Sequence, residues 1–259
     1  MTTLSYKNQT VTIDAGELVS YLVDGHEYIH QKGSPGWRNA DTEMFPIIGP
    51  TADANFRVST PKGEAIQDQH GLLREMTYER IEATKTEAVF QKAYTAGTAI
   101  KNSKFPAKST EELLQWPYDF VFKKMFTLSE AGLEVSFVIS GVAGMPYMLG
   151  YHPAFNLVTD GPTITANTKE IALAAILEVG NRALQIADCT EIKLEDKNTV
   201  TIKTEGFGNF MLWTEVKNMV CIEPITFYPY AVAQENLSEG FSKLEAKDAV
   251  YKMLISVSL

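Results

Sequence analysis

Phe120-Val121-Phe122-Lys123-Lys124-Met125-Phe126-Thr127-Leu128, then Ser129-Glu130-Ala131-Gly132, then Leu133-Glu134-Val135-Ser136-Phe137-Val138-Ile139, is the stretch that decides the fold. Both flanks are rich in β-branched and aromatic residues, and the second alternates with period two. Side chains on a strand point to opposite faces in turn, so this alternation gives each strand one buried face. Two such runs around a short glycine-containing loop predict an antiparallel hairpin. Similar runs occur at Thr10–Ile13, Leu18–Val23, Met76–Ala83, Ala88–Ala93, Ala172–Ala174, Ile192–Leu194, Thr199–Lys203, Phe210–Trp213, Met219–Ile222 and Met253–Val257. Many short strands separated by turn residues predict an all-β protein, a large antiparallel β-sandwich with minor helical turns. Helix is expected only as a turn or two over Ser109–Leu114, from a capping-box start, with Leu237–Phe241 too short to assign. Gly33–Gly49 is rich in turn residues and is expected to cross the surface near the site.

The chain has 259 residues, 45% hydrophobic and 21% charged, with a net charge of -9. A single β-sandwich domain over residues 1–259 accommodates this length. The acidity argues against a nucleic-acid groove, which needs a positive field over phosphates. No stretch approaches the roughly 20 apolar residues of a membrane helix. The first residues lack the apolar core of a signal peptide. Cys189 and Cys221, the two cysteines, make neither a disulfide framework nor a metal motif. A reducing cytoplasm is therefore expected. Nothing in the sequence marks an oligomer interface.

Three polar residues stand out. His152 follows the apolar run Met145–Leu149, in Gly150-Tyr151-His152-Pro153-Ala154-Phe155-Asn156. Pro153 stiffens the backbone beside it. An imidazole changes charge near neutral pH and suits proton transfer. His70 lies in Gln69-His70-Gly71-Leu72-Leu73-Arg74, and Glu223 ends the apolar run of Val220-Cys221-Ile222-Glu223-Pro224. A carboxylate in apolar surroundings is either paired or raised in pKa. Singly, each residue also reads as structural. Together they suggest a site with two histidines and one carboxyl. His26 and His30 are spaced to bind metal on a helix, but their segment does not read as helical and lacks further ligands.

Five strings resemble the aldose 1-epimerase (galactose mutarotase-like) family in its divergent bacterial branch. They are Phe45-Pro46-Ile47-Ile48-Gly49, Gln69-His70-Gly71 with Arg74, Trp116-Pro117-Tyr118-Asp119-Phe120, the His152 string and Cys221-Ile222-Glu223-Pro224. The resemblance implies a β-sandwich with a sugar site on its concave face. The implied reaction interconverts the α and β anomers of an aldose through ring opening. Glu223 resembles the base that takes the anomeric hydroxyl proton, and His152 the acid that protonates the ring oxygen. His70 resembles the histidine that steadies charge there. The implied partner is a small carbohydrate, with no metal or other cofactor. Arg74 and Arg38 match arginines of this branch, and Arg57 has only proximity in its favour. Tyr151, Phe155 and Asn156 are expected at the substrate, with Trp37, Trp213 and Phe227 as further stacking candidates. Asp188 is a possible counterpart of the family's hydroxyl-binding aspartate.

Two departures qualify the match. Pro50 stands where many relatives carry arginine, and Ile225-Thr226-Phe227-Tyr228 replaces a tryptophan and glycine loop after the base. The alternatives are therefore a hexose-6-phosphate 1-epimerase, which needs arginines able to fork onto phosphate, and a sugar-binding protein without turnover.

Overall fold

A computed structural model describes residues 1–37 and 41–258. The opening hairpin forms as expected, with strand Phe120–Ser129 antiparallel to Gly132–Gly141 and Ser129 opposite Gly132. Gly132 has φ of +123°, and a Cβ there would lie 2.2 Å from the Ile255 carbonyl oxygen. Only glycine fits this end of the turn.

The hairpin lies inside a nine-stranded antiparallel sheet. Its order is Lys169–Ala172, Thr163–Ala166, Glu191–Glu195, Thr199–Glu205, Ala249–Ser258, Gly132–Gly141, Phe120–Ser129, Glu87–Tyr94 and Glu79–Ala83. A second antiparallel sheet contains Leu184–Ile186, Asn209–Trp213, Met219–Ile225, Gly150–Tyr151 and Glu43–Met44, with Ala154–Asn156 also on Met219–Ile225. The sheets meet through aromatics. The Phe137 and Tyr151 ring centroids are 5.0 Å apart, and those of Phe45 and Phe120 4.9 Å. A four-stranded N-terminal sheet, Thr2–Tyr6 through His26–Glu27, packs alongside.

Burial along Phe120–Ser129 alternates without a break, so Phe120, Phe122, Lys124, Phe126 and Leu128 all face inward. Lys124 is fully buried in that row. Its Nζ contacts the Asp41 carboxylate and lies 2.6 Å from Glu43 Oε1. Tyr151 donates its hydroxyl proton to Asp41. Lys92, on the neighbouring strand, donates to the Leu73 carbonyl at 2.8 Å and lies 3.9 Å from Glu43. Burial pushes the Asp41 carboxyl up to about 6, against the pull of Lys124. Burial also opposes the charge on Glu43, but Lys124 and Lys92 outweigh it and hold that carboxyl below its usual range. Burial lowers Lys92 to about 8.

Three local expectations need correction. Ser109–Leu114 is not helical. The Ser109 hydroxyl oxygen accepts from Asn102 and from the Glu111 amide, which closes a turn, and Leu113–Leu114 pairs as a strand with Ile100–Lys101. Ala172–Ala174 is not a strand. Lys169–Ala172 ends there and a helix runs over Leu173–Val179, where alanine and leucine favour helix. Asp41 and Glu43–Gly49 do not cross the surface but are buried, with Glu43–Met44 forming the last strand of the second sheet. Leu237–Phe241 is largely a 3-10 turn over Gln234–Gly240.

Candidate active site

Glu223 sits in the middle of Met219–Ile225. Met219, Cys221 and Glu223 project from one face of this strand. Val220 and Ile222 enter the main core, whereas Met219 and Cys221 pack with Trp37 and Ala154. His152 occupies the break between Gly150–Tyr151 and Ala154–Asn156, where Pro153 interrupts the strand. Its amide donates to the Thr42 carbonyl at 2.9 Å. The imidazole thus projects over the neighbouring strand, and its Nε2 lies 3.3 Å from Glu223 Oε1.

His70 reaches the same place from another direction. Its backbone is left-handed, with φ of +75°, an uncommon state for a non-glycine residue. Its amide donates to the Ile48 carbonyl, and its carbonyl accepts from the Phe45 amide. Gly71 follows in positive φ, so close to Phe45 that a Cβ would lie 2.2 Å from that carbonyl oxygen. The turn holds the His70 ring edge-on to His152, with centroids 5.5 Å apart. Trp37 at 5.3 Å and Trp213 at 6.0 Å complete an aromatic surround for His152.

These residues line one cavity of about 510 Å³, together with Arg74, Lys108, Arg182 and Tyr230. Its size suits a small ligand. Buried Nδ1 of His70, Nδ1 of His152 and Oε1 of Glu223 have no hydrogen-bond partner among the described residues. Buried polar atoms are normally satisfied, and each orphan costs about 1–3 kcal/mol. The three residues that carry these atoms converge on the one cavity.

Burial sets the charges. It pushes the Glu223 carboxyl well above the usual carboxylate range. It lowers His152 to about 4, helped by the positive charge of Arg74. It also carries His70 well below its ordinary value, with His152 and Arg74 adding to the effect. Burial thus works against charge on both members of the pair, the carboxylate of Glu223 and the imidazolium of His152.

The structure brings together His152, Glu223, His70, Arg74, Trp37 and Trp213. It places Tyr151, Phe155 and Asn156 elsewhere. Tyr151 and Phe155 are fully buried in the main core. Neighbours along a strand face opposite ways, so adjacency to His152 turns Tyr151 away from the cavity. Asn156 accepts from His30 Nδ1 and donates to the Glu27 and Ile29 carbonyls. His30 Nε2 meets the Pro35 carbonyl, so its nitrogens serve the loop. Arg57 pairs with Glu111 outside the cavity lining. Phe227 packs on Gly240, and exposed Asp188 does not reach the cavity. Arg38 lies outside the described residues. Lys108, Arg182 and Tyr230 carried no motif. Tyr230 enters because Pro229 starts a short 3-10 turn after the altered wall.

Comparison with known proteins gives the family and the fold. The family described as Aldose 1-epimerase matches residues 16–206, which include His70, Arg74 and His152 but stop before Glu223. The protein LacX, chromosomal form, of Lactococcus lactis subsp. lactis is 27% identical over 163 residues, covering 60% of this chain and 50% of LacX. Its plasmid form matches to the same extent. The chain thus spans about half the length of the curated relatives it matches. A galactose mutarotase-like protein from Lactobacillus casei superposes with a TM-score of 0.81 at 15% identity, over 99% of both chains. A galactose mutarotase related enzyme from Lactobacillus acidophilus gives 0.75 at 19% identity, again over 99% of both. At these identities the likeness is one of fold, the β-sandwich described above. With a match that spans most of its length, the chain belongs to the aldose 1-epimerase family.

Proposed function

We propose that the protein is an aldose 1-epimerase that interconverts the α and β anomers of a sugar by acid/base ring opening. The observation that carries this reading is the convergence of His70, His152 and Glu223 on the lining of one cavity, with His152 Nε2 and Glu223 Oε1 3.3 Å apart. Glu223 takes the proton of the anomeric hydroxyl, and His152 gives one to the ring oxygen. The C1–O5 bond breaks and C1 becomes the aldehyde carbon. Rotation about C1–C2 presents the other face, and closure reverses both transfers. The two groups flank the same reacting centre, with His152 Nε2 and Glu223 Oε1 3.3 Å apart. His70, kept neutral by burial, hydrogen-bonds the sugar without repelling the imidazolium. Trp37 and Trp213 offer faces to the apolar side of the ring.

The pH dependence follows from the proton count. Below about 4, His152 gains a second proton while Glu223 keeps its own, and the base is lost. Above the raised pKa of Glu223, that proton leaves and the acid is lost. A bell-shaped rate profile is expected, with its alkaline limb above the normal carboxylate range. A rate flat from pH 3 to 10 would count against the pair.

A second reading, action on a hexose 6-phosphate, is favoured by one observation. Arg74, Lys108 and Arg182 line the cavity of a chain whose net charge is -9. Polarimetry on freshly dissolved α-glucose, α-galactose and their 6-phosphates separates the readings. If the phosphate is bound, Arg182→Ala should raise KM for the 6-phosphate by about tenfold and leave the free sugar unchanged. An equal effect on both would remove this reading.

A further inference from the structure

We propose that Cys221, His152 and Glu223 form a binding site for one thiophilic divalent cation of the Zn²⁺ class, and that its occupation stops turnover. Cys221 and Glu223 lie two residues apart on one face of Met219–Ile225, Glu223 at the cavity and Cys221 buried beside it against Trp37, and His152 reaches over from the break between the neighbouring strands. The Cys221 Sγ, a Glu223 carboxyl oxygen and a His152 ring nitrogen all lie within 4.8 Å of one another. His152 Nε2 and Glu223 Oε1 are 3.3 Å apart. Tetrahedral zinc with bonds of about 2.0–2.3 Å has ligand–ligand edges of roughly 3.3–3.7 Å. That contact is already the length of one edge, and modest side-chain rotation brings the sulfur to the others.

A second observation points to a ligand here. Glu223 Oε1 is buried and unpartnered among the described residues, and its side chain is only 2% exposed. Thiolate, imidazole and carboxylate together favour zinc over magnesium or calcium. Three protein ligands leave the fourth position for water from the cavity. Binding releases the Cys221 thiol proton, and the Glu223 proton where it is present, to solvent. Cys189 offers no comparable site, since its thiol is turned to the Glu191 carbonyl. His152 Nδ1 has no partner among the described residues, whereas histidines at resident metals usually donate that second nitrogen. The site therefore fits an inhibitory ion rather than a resident one. The ion would occupy the lone pairs of both acid and base. That consequence rests on the function proposed above, while the binding rests on the geometry alone.

The test uses the full chain, stripped with a chelator and titrated with Zn²⁺ alone by calorimetry. Co²⁺ then replaces Zn²⁺ to reveal thiolate-to-metal charge transfer. The variants are Cys221→Ala and the nearly isosteric Cys221→Ser, each checked for folding by circular dichroism. One equivalent is expected to bind with a charge-transfer band. Cys221→Ala should lose the band and weaken binding by more than the 10–100-fold (about) that loss of a supporting contact costs a metal site. Its anomer exchange should persist and resist Zn²⁺. No saturable one-to-one binding, or unchanged binding in both variants, would overturn the site. Zinc held through Cys221 in a protein that accelerates no anomer exchange would keep the metal site and remove the epimerase reading. Exchange that saturating Zn²⁺ leaves untouched in the unaltered protein would overturn the claim that occupation stops turnover.

Discussion

Anomer exchange should fall by about 10³-fold when Glu223 becomes Gln, within the roughly 10²–10⁴-fold that general acid/base catalysis contributes. The amide keeps the shape and cannot accept the anomeric proton as a base. Folding should survive, because burial already favours an uncharged side chain at this position. His152→Ala should lower the rate comparably, with loss of the alkaline limb of the pH profile. Initial rates by polarimetry and a thermal melt on the same samples check both statements. Exchange within about threefold of normal in a folded Glu223→Gln protein would remove Glu223 as the base.

Lys124→Met should cost about 3–5 kcal/mol of stability, the usual effect of removing one partner from a buried ion pair. Asp41 and Glu43 would then share a closed space in which Lys92, 3.9 Å from Glu43, is the remaining ion-pair partner among the described residues. For a chain of this size that corresponds to roughly 6–20 °C in Tm. The effect should reach the site, because Thr42, between the two carboxylates, accepts the His152 amide, and Lys92 holds the carbonyl beside Arg74. Urea unfolding with and without Lys124→Met measures the cost. A change under 1 kcal/mol would show that the cluster carries little of the fold.

The same lysine shows how far the sequence could be read. The alternation of Phe120–Leu128 places residue 124 in the inward row, and the structure keeps that register. Charge alone argues the other way, since lysine is almost never fully buried unless paired. Its partners, Asp41 and Glu43, lie some 80 residues away, and no local pattern announces them. The hairpin and the all-β class were legible because they depend on period-two alternation and turn residues. Ser109–Leu114 was misread because a serine oxygen that could cap a helix is used to close a turn.

At the site, His152, His70 and Glu223 were found through short motifs, each polar residue beside a glycine, a proline or an apolar run. Tyr151 and Phe155 were misplaced because closeness in sequence was taken for closeness in space. On a strand, adjacent side chains part to opposite faces. Arg182, Lys108 and Tyr230 reach the cavity from loops whose paths depend on tertiary packing. The direction in which each pKa of the pair moves was also out of reach. It depends on burial, which only the assembled sheets provide.

The central claim is most directly tested by NMR exchange between the α and β anomers of glucose and galactose, and of their 6-phosphates, at equilibrium. Cross-peaks between anomeric protons that grow with added protein, and vanish with Glu223→Gln, are the predicted result. Saturable sugar binding without exchange on any of these sugars would contradict it and leave a sugar-binding protein on an epimerase fold.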